Sequence, residues 1–177
     1  MKEAQSVEVS VPSGVVVTVR GTSIIAKGPK GEVTRNFLLP KLKITSENGK
    51  VVLHIERGTK REKTMLGTYQ AHLRNMVKGV VEPHIYKLKV CSGHFPMTVT
   101  VSGLEFVIKN FLGEAVPRRV KLLAGSDVKI TGADITVSSP DIDVAAQNAA
   151  KIESLCRITN RDRRIFQDGC YITEKAE

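Results

Sequence analysis

Four arginines near the C-terminal end form the densest basic cluster of the sequence. The segment 157–164 that contains them has only one acidic residue. A planar guanidinium group can donate two parallel hydrogen bonds to a phosphate, which the ammonium group of lysine cannot do, and Asn160 adds a neutral donor. The cluster therefore indicates a phosphate-binding surface, and a solvated charged face is the alternative interpretation. Its arginines are Arg157, Arg161, Arg163 and Arg164.

A second group of basic and polar residues lies near predicted hairpin turns in the second half of the chain. This group consists of Lys109, Asn110, Arg118 and Arg119. Turns lie at the surface of a fold, so side chains there are available to a partner. The two groups together are the candidate contacts for a polyanion.

Catalytic and metal chemistry have little support in the sequence. It contains no Gly-x-x-x-x-Gly-Lys-Ser/Thr loop, Gly-x-Gly-x-x-Gly, His-Glu-x-x-His or Gly-x-Ser-x-Gly motif. Cys91 and His94 have the spacing of half a zinc site, but the other candidate ligands stand at irregular separations, which favours ordinary packing at a strand end. No metal or cofactor is predicted. A small hydrolase using His94 and Asp168 is the competing enzymatic hypothesis.

Two features associated with single-stranded nucleic acid are also better explained by folding. Gly28-Pro29-Lys30-Gly31 resembles the Gly-x-x-Gly loop of KH domains, but it links two strand-like runs and is interpreted as a turn. Phe106, Phe111 and Phe166 have aliphatic neighbours and are interpreted as core residues, and the chain has no tryptophan. A base-stacking platform is therefore disfavoured.

Composition limits the class of protein. The chain has 177 residues, 27 Lys plus Arg against 18 Asp plus Glu, a net charge of +9 and 41% apolar residues. These values exclude a disordered chain and predict one large domain or two small ones. The longest apolar run, around Val15 to Val17, is far shorter than a membrane-spanning helix requires. The excess of positive charge favours nucleic acid as partner over an anionic membrane surface.

The cysteine usage and the first residues favour a cytosolic protein. Cys91, Cys156 and Cys170 are scattered and odd in number, which is typical of reduced thiols rather than a disulfide framework. The sequence from Met1 passes directly into strand-like alternation without the apolar segment of a secretory signal.

The elements that must position these residues follow from hydrophobic periodicity. Alternating β-branched residues predict an antiparallel meander over residues 7–56, with Asn48-Gly49 as one hairpin turn. Apolar residues at three- and four-residue spacing predict a helix over 63–77, capped by Thr64 and ended by Gly79.

Strand-like sequence returns from Tyr86, and a second helix is predicted to begin near Ser139-Pro140-Asp141. A capping residue followed by acidic residues suits the positive end of a helix dipole. Asp141 and Asp143 are therefore interpreted as capping residues rather than as a catalytic pair.

The succession of strands and one helix occurs twice, which raises the question of an internal repeat. Shifting the sequence by 82 residues produces seven identities within Val17 to Glu32, where chance would give about one. The chain is therefore predicted to contain two modules, 1–82 and 83–177. Their net charges are +7 and +2. The matching residues of the first module are Val17, Thr18, Val19, Gly21, Lys27, Gly31 and Glu32.

Four stretches, taken in order, carry a resemblance that covers nearly the whole chain. The sequence resembles the universal large-subunit ribosomal protein six family, called protein nine in eukaryotic nomenclature. It lacks the bacterial tail Pro-Glu-Pro-Tyr-Lys-Gly-Lys-Gly and is more similar to the archaeal and eukaryotic branch. The stretches are residues 67–77 (GTYQAHLRNMV), 93–97 (GHFPM), 109–114 (KNFLGE) and 161–169 (RDRRIFQDG).

The resemblance implies an α+β fold of two duplicated modules, each an antiparallel sheet with one packed helix. It implies a ribonucleoprotein role in translation. The expected partner is large-subunit rRNA near the sarcin-ricin loop and stalk base, bound mostly through the second module. Neighbouring ribosomal proteins of the large subunit are the other expected partners. It implies no catalysis, cofactor, small-molecule substrate or membrane. A free-standing RNA-binding protein is the alternative. The residues matched to an rRNA role are His94, Lys109, Asn110, Arg118, Arg119, Arg161, Arg163 and Arg164, whereas Phe111, Phe166, Met76 and Val77 are assigned to the core.

Overall fold

The computed structural model describes residues 3–47 and 49–176, so Asn48 of the predicted Asn48-Gly49 turn lies outside the described residues. The chain divides into two compact units, Met1–Pro83 and His84–Glu177. Within the described ranges, neither helix combines the length and the apolar character that crossing a membrane would require.

The first unit contains two three-stranded antiparallel sheets and one helix, α1 (Lys60–Val81). The sheets have the orders β1-β6-β5 and β2-β3-β4. The prediction of a single meander is wrong, because β1 pairs with β6 at the other end of the unit. The alternation of apolar and polar residues indicates which residues form strands. Which strands pair with each other depends on how the two sheets pack against the helix. The strands are β1 (Glu3–Ser10), β2 (Val16–Arg20), β3 (Ser23–Gly28), β4 (Gly31–Asn36), β5 (Leu42–Glu47) and β6 (Lys50–Gly58).

Helix α1 is longer than predicted at both ends. Its N-cap is Thr59, whose backbone N–H donates to Glu62 Oε2 at 2.6 Å. Thr64, the predicted cap, lies inside the helix and donates its hydroxyl to the Lys60 carbonyl. The helix passes through Gly79 and ends before Pro83, because the residue preceding a proline is disfavoured in helical conformation. The predicted core residues Met76 and Val77 are buried, as expected.

The Gly28-Pro29-Lys30-Gly31 loop is the turn between β3 and β4. The Lys30 backbone N–H donates to the carbonyl of Val80 at 3.0 Å. A Cβ atom on Gly28 would lie 2.7 Å from the same carbonyl oxygen, which explains why glycine stands there. The loop therefore packs against the end of α1, and its resemblance to a KH loop has no structural basis.

The second unit contains a three-stranded and a four-stranded antiparallel sheet, a short 3₁₀ turn at Phe111–Gly113 and helix α2 (Ile142–Leu155). The sheets have the orders β10-β9-β8 and β11-β12-β7-β13. The strands are β7 (His84–Cys91), β8 (Thr98–Ser102), β9 (Glu105–Lys109), β10 (Arg118–Lys121), β11 (Asp127–Thr131), β12 (Asp134–Ser139) and β13 (Gly169–Glu174).

The two units repeat one topology, which confirms the predicted α+β class with duplicated modules. The order β2-β3-β4 corresponds to β8-β9-β10, and β1-β6-β5 corresponds to β7-β12-β11. Gly21 and Gly103, matched by the sequence shift, both have positive φ angles, 62° and 59°, in equivalent hairpin turns. Glycine adopts this conformation without steric cost. Each module has two sheets rather than the single predicted one, and β13 is an additional strand of the second unit.

Helix α2 begins where the sequence predicts. Asp141 is the N-cap and accepts a hydrogen bond from the Asp143 backbone N–H at 2.9 Å, as the capping interpretation requires. The fully buried Asn148 ties the helix to the loop after β10, because its amide accepts from the Leu123 N–H at 2.8 Å and donates to the Leu123 carbonyl at 3.0 Å. These contacts fix the middle of α2 against the loop after β10.

Candidate nucleic-acid interface

The additional strand β13 brings the arginine-rich segment 157–168 to the loop after β7. β13 pairs antiparallel with β7, and Gly169 lies opposite Cys91. The segment must therefore leave the end of α2 and return to the edge of the sheet beside Gly93 and His94. Two stretches far apart in sequence, 93–97 and 161–169, thus meet at one place in the second unit.

Asp168 holds this meeting point together. Its carboxylate is only 3% exposed and accepts hydrogen bonds from the backbone N–H groups of Gly93, at 2.5 Å, and His94, at 3.1 Å. The His94 Nδ1 atom lies 2.6 Å from Asp168 Oδ2. Burial alone would raise the pKa of Asp168, but the hydrogen bonds from His94 and Gly93 outweigh it and hold that pKa below its usual value. The carboxylate is ionised at neutral pH, so His94 Nδ1 carries the proton and donates it.

An aromatic and cationic stack lies next to this carboxylate. The His94 ring stacks on the Phe166 ring with centroids 4.7 Å apart and an interplanar angle of 27°. The Arg161 guanidinium lies 4.8 Å from the Phe166 ring centroid. Phe166 is half-buried rather than a core residue, so its predicted core assignment is wrong. Its aliphatic neighbour Ile165 is exposed, which shows why flanking residues alone misled the interpretation.

A cleft of 830 Å³ opens beside the stack, and we call it the His94 cleft. Two rings and two guanidinium groups line it, together with small polar groups from the loop after β7. The residues that define it are Cys91, Ser92, His94, Arg163, Arg164 and Tyr171.

The arginines of the segment differ in the ion pairs and hydrogen bonds that they form within the protein. Arg164 is 90% exposed and pairs with Asp162, with Nη2 to Oδ2 at 2.8 Å, and this hydrogen bond lowers the pKa of Asp162. Arg163 makes no ion pair or side-chain hydrogen bond within the described ranges, and it also lines a neighbouring groove with Arg157 and Tyr171. Asn160 is exposed in left-handed conformation at φ 59°. All five predicted polar residues of this segment are exposed, and Arg161 also covers the Phe166 ring.

Arg118 is held by the protein itself. Its guanidinium pairs with both carboxylate oxygens of Glu114, at 2.8 and 2.5 Å, and donates to the carbonyls of Leu155 and Arg157 at 2.9 and 3.0 Å. It also lies 4.2 Å from the centroid of the buried Phe111 ring. The hydrogen bonds with Glu114 lower the pKa of that carboxyl group and raise the pKa of Arg118. Arg118 therefore fixes the start of the arginine-rich segment.

The remaining predicted residues lie on the neighbouring sheet. Asn110 has a positive φ of 58° and donates its side-chain amide to the Pro96 carbonyl at 2.9 Å, which fixes the loop that carries His94. Lys109 is exposed at the end of β9. Arg119 is 61% exposed, and its guanidinium lies 3.9 Å from Glu105. The structure thus separates positioning residues, Arg118 and Asn110, from residues open to a partner.

The pairing of His94 with Asp168 places together the two residues of the enzymatic hypothesis. A nucleophilic mechanism also needs a hydroxyl or thiol hydrogen-bonded to the other ring nitrogen. No such contact occurs among the described residues, although Cys91 and Ser92 line the same cleft. Residues 3–47 and 49–176 contain no cluster of three potential metal-ligating side chains.

Sequence reasoning missed the stack of His94, Phe166 and Arg161. The motifs that contain these residues are separated by about 70 positions, and only the pairing of β13 with β7 brings them together. The only indication in the sequence was that His94 and Phe166 each lie in one of the four stretches that carry the family resemblance. It did not reveal that their rings touch.

Comparisons with known proteins agree with the division of the chain into two units. A family model described as "Ribosomal protein L6" matches residues 11–82 and 95–169, one range in each unit. These matches define a ribosomal protein by class. The chain belongs to the ribosomal protein L6 family.

Three relatives from archaea cover nearly the whole chain, and each bears the name "Large ribosomal subunit protein uL6". The relative from Methanocella arvoryzae is 40% identical over 170 residues, 96% of both chains. That from Methanococcus vannielii is 41% identical over 169 residues, 96% of this chain and 93% of the relative. That from Methanosarcina mazei is 44% identical over 168 residues, 95% of this chain and 96% of the relative. The predicted family, of the archaeal and eukaryotic type, is confirmed.

Proposed function

We propose that this chain is a structural constituent of the large ribosomal subunit and binds large-subunit rRNA near the sarcin-ricin loop and the stalk base. It supports subunit assembly and translation in the cytoplasm, beside neighbouring ribosomal proteins, and catalyses no reaction. Family membership supports the ribosomal role. The name of the archaeal relatives supports the large subunit.

The observation that carries the rRNA contact is the anchored but open arginine-rich segment. Its start is fixed by Arg118 and its end by Asp168, whereas Arg163 has no internal ion pair in the described part of the chain. A segment anchored at both ends loses less backbone conformational entropy when its guanidinium groups bind phosphates. The proposed rRNA contacts are His94, Lys109, Arg119, Arg157, Asn160, Arg161, Arg163 and Arg164, with Asn110 and Arg118 as positioning residues.

The accessible features of an RNA helix fit such a surface. A-form RNA presents its phosphates and a wide minor groove, while its major groove is too deep and narrow for side chains to reach. Phosphate contacts fix the orientation of a protein on its RNA. A rigid basic segment supported by a sheet would hold the second unit in one orientation on the rRNA.

The test replaces Arg161, Arg163 and Arg164 together by Ala in the full chain and measures binding to an in vitro transcript of archaeal large-subunit rRNA over a range of KCl concentrations. Each lost phosphate contact should reduce the magnitude of the negative slope of log K against log salt by about 0.7 to 0.9. The control replaces Lys43, Lys50 and Lys87, which form surface ion pairs, together by Ala. It removes three positive charges, as the triple arginine variant does. Equal slopes for the two triple variants would show that the arginine-rich segment makes no phosphate contacts.

A further inference from the structure

We propose that the His94 cleft receives one unpaired nucleotide of the rRNA, with its base stacked on the His94 ring and its phosphate held by Arg163 and Arg164. This inference rests on the proposed function and adds a specific subsite to it. Nothing in the sequence predicted such a subsite, because Phe166 was assigned to the core and base stacking was disfavoured.

The size and lining of the cleft suit a nucleotide. Its volume of 830 Å³ lies within the range of roughly 300 to 1,000 Å³ that small-ligand pockets occupy. The lining combines rings for a base, guanidinium groups for a phosphate and the Ser92 hydroxyl as a hydrogen-bonding group. Proteins that recognise unpaired RNA use this combination of groups.

The His94 ring is already held in position for stacking. One face lies against Phe166, and the Nδ1 proton is donated to the buried Asp168 carboxylate. The ring is therefore fixed in orientation while its side chain remains 36% exposed in the wall of the cleft. A base that stacks on the exposed part of the ring would add to the contacts of Phe166 with His94 and Arg161. Stacking on a fixed ring requires no ordering of that ring when RNA binds.

The phosphate-binding groups lie on the same cleft. Arg163 and Arg164 both line it, and Arg163 forms no internal ion pair in the described ranges. Arg164 is oriented by Asp162, which accepts from its Nε atom at 3.1 Å and from its backbone N–H at 2.9 Å. A nucleotide whose base contacts His94 would place its phosphate within the positive potential of these guanidinium groups. The cleft thus supplies separate contacts to the base and to the backbone.

The decisive variant is His94→Asn in the full chain. The asparagine amide can replace the Nδ1 proton that Asp168 accepts, but it removes the ring on which a base would stack. His94→Phe restores an aromatic ring, and the Asp168 carboxylate keeps its two backbone hydrogen bonds. Phe166→Leu removes the ring that supports His94 while retaining an apolar side chain. His54→Asn in β6 is the matched control in the first unit.

Each variant is bound to a transcript of Methanosarcina mazei large-subunit rRNA and probed with dimethyl sulfate, and its folding is checked by thermal unfolding. We expect His94→Asn to raise the dissociation constant about 5- to 150-fold, the range for the loss of one stacked base. One nucleotide protected by the wild type should become reactive. His94→Phe should lose less affinity and protection than His94→Asn, Phe166→Leu should weaken both, and His54→Asn should change neither.

Wild-type affinity and protection in His94→Asn would overturn the stacking proposal. Equal losses in His94→Phe and His94→Asn would also overturn it, because the ring would then have no role. In either case a reduced salt slope of the triple arginine variant would leave the proposed function standing. Failure of the wild-type chain to bind the transcript would reject the proposed function and the nucleotide subsite together.

Discussion

Arg118 shows how one side chain can support the proposed rRNA-binding surface without being one of its proposed contacts. It joins Glu114, the buried Phe111 ring and the carbonyl groups at the end of α2. The planar guanidinium makes these contacts at once, and the single ammonium group of lysine cannot reproduce their geometry. The residue therefore couples the stability of the second unit to the placement of the arginine-rich segment.

Arg118→Lys is expected to lower the free energy of unfolding by about 1 to 3 kcal/mol, because the Glu114 carboxylate and two backbone carbonyls lose charge-assisted hydrogen bonds. The neighbouring exposed Arg119→Lys is the control and should change it by less than about 0.5 kcal/mol. Urea unfolding of both full-length variants measures the difference. Equal stabilities would show that the observed contacts of Arg118 are energetically unimportant.

Individual residues were the least predictable level of the structure. The sequence identified arginines as phosphate-binding candidates by type, but Arg118 and Arg163 differ only through their tertiary surroundings. Phe166 was misassigned for the same reason, because an aromatic residue between aliphatic neighbours can belong to a core or to a surface stack. The core assignment of Met76, Val77 and Phe111 is correct, because all three side chains are buried. Their apolar spacing or apolar neighbours indicated this position.

The start of α1 is an element whose stability depends on one carboxylate. Glu62 accepts a hydrogen bond from the Thr59 N–H and pairs with Lys41 at 2.8 Å. The hydrogen bonds from Lys41 and Thr59 lower the pKa of Glu62 to about 2. Because the folded-state pKa lies below the unfolded value, this stabilisation is complete above about pH 4.3 and is lost as the pH falls towards 2.

Glu62→Gln is therefore expected to lower the melting temperature at pH 7, and its difference from the wild type should shrink as the pH falls from about 4.3 to 2. Thermal unfolding followed by circular dichroism across this range provides the measurement. Glu32→Gln, at an exposed position of β4, is the control. A difference between wild type and Glu62→Gln that stays constant with pH would contradict the assigned role of the ionised carboxylate.

The same helix explains which features of the elements the sequence could predict. Apolar spacing identified α1 and most of its buried face, but its first turn contains charged residues with no apolar period. The capping pair Thr59 and Glu62 carried the missing signal. Strands were identified by alternation, whereas the division into two sheets per unit depends on nonlocal pairing, as between β1 and β6.

At the scale of the whole molecule, the duplication explains the fold, whereas the position of the charged groups bears on the proposed rRNA contact. The 82-residue sequence repeat accounts for the strand order that the two units share, apart from the additional strand β13. The first module has the larger net charge, yet the open arginines adjoin a cleft in the second, beside the additional strand β13. Net charge attracts a polyanion from any direction, while fixed guanidinium groups determine where it is held. Counting charges along the sequence could not make this distinction.

The central claim is that the chain is an integral part of the large ribosomal subunit. The most direct measurement is sucrose-gradient sedimentation of an extract from the source cells in about 0.5 M monovalent salt, which screens exposed charge pairs strongly, with immunoblotting for this chain. We predict that the chain migrates with the large subunit and remains there through the salt wash. Recovery of the chain only at the top of the gradient would contradict the claim and would favour a free-standing RNA-binding protein.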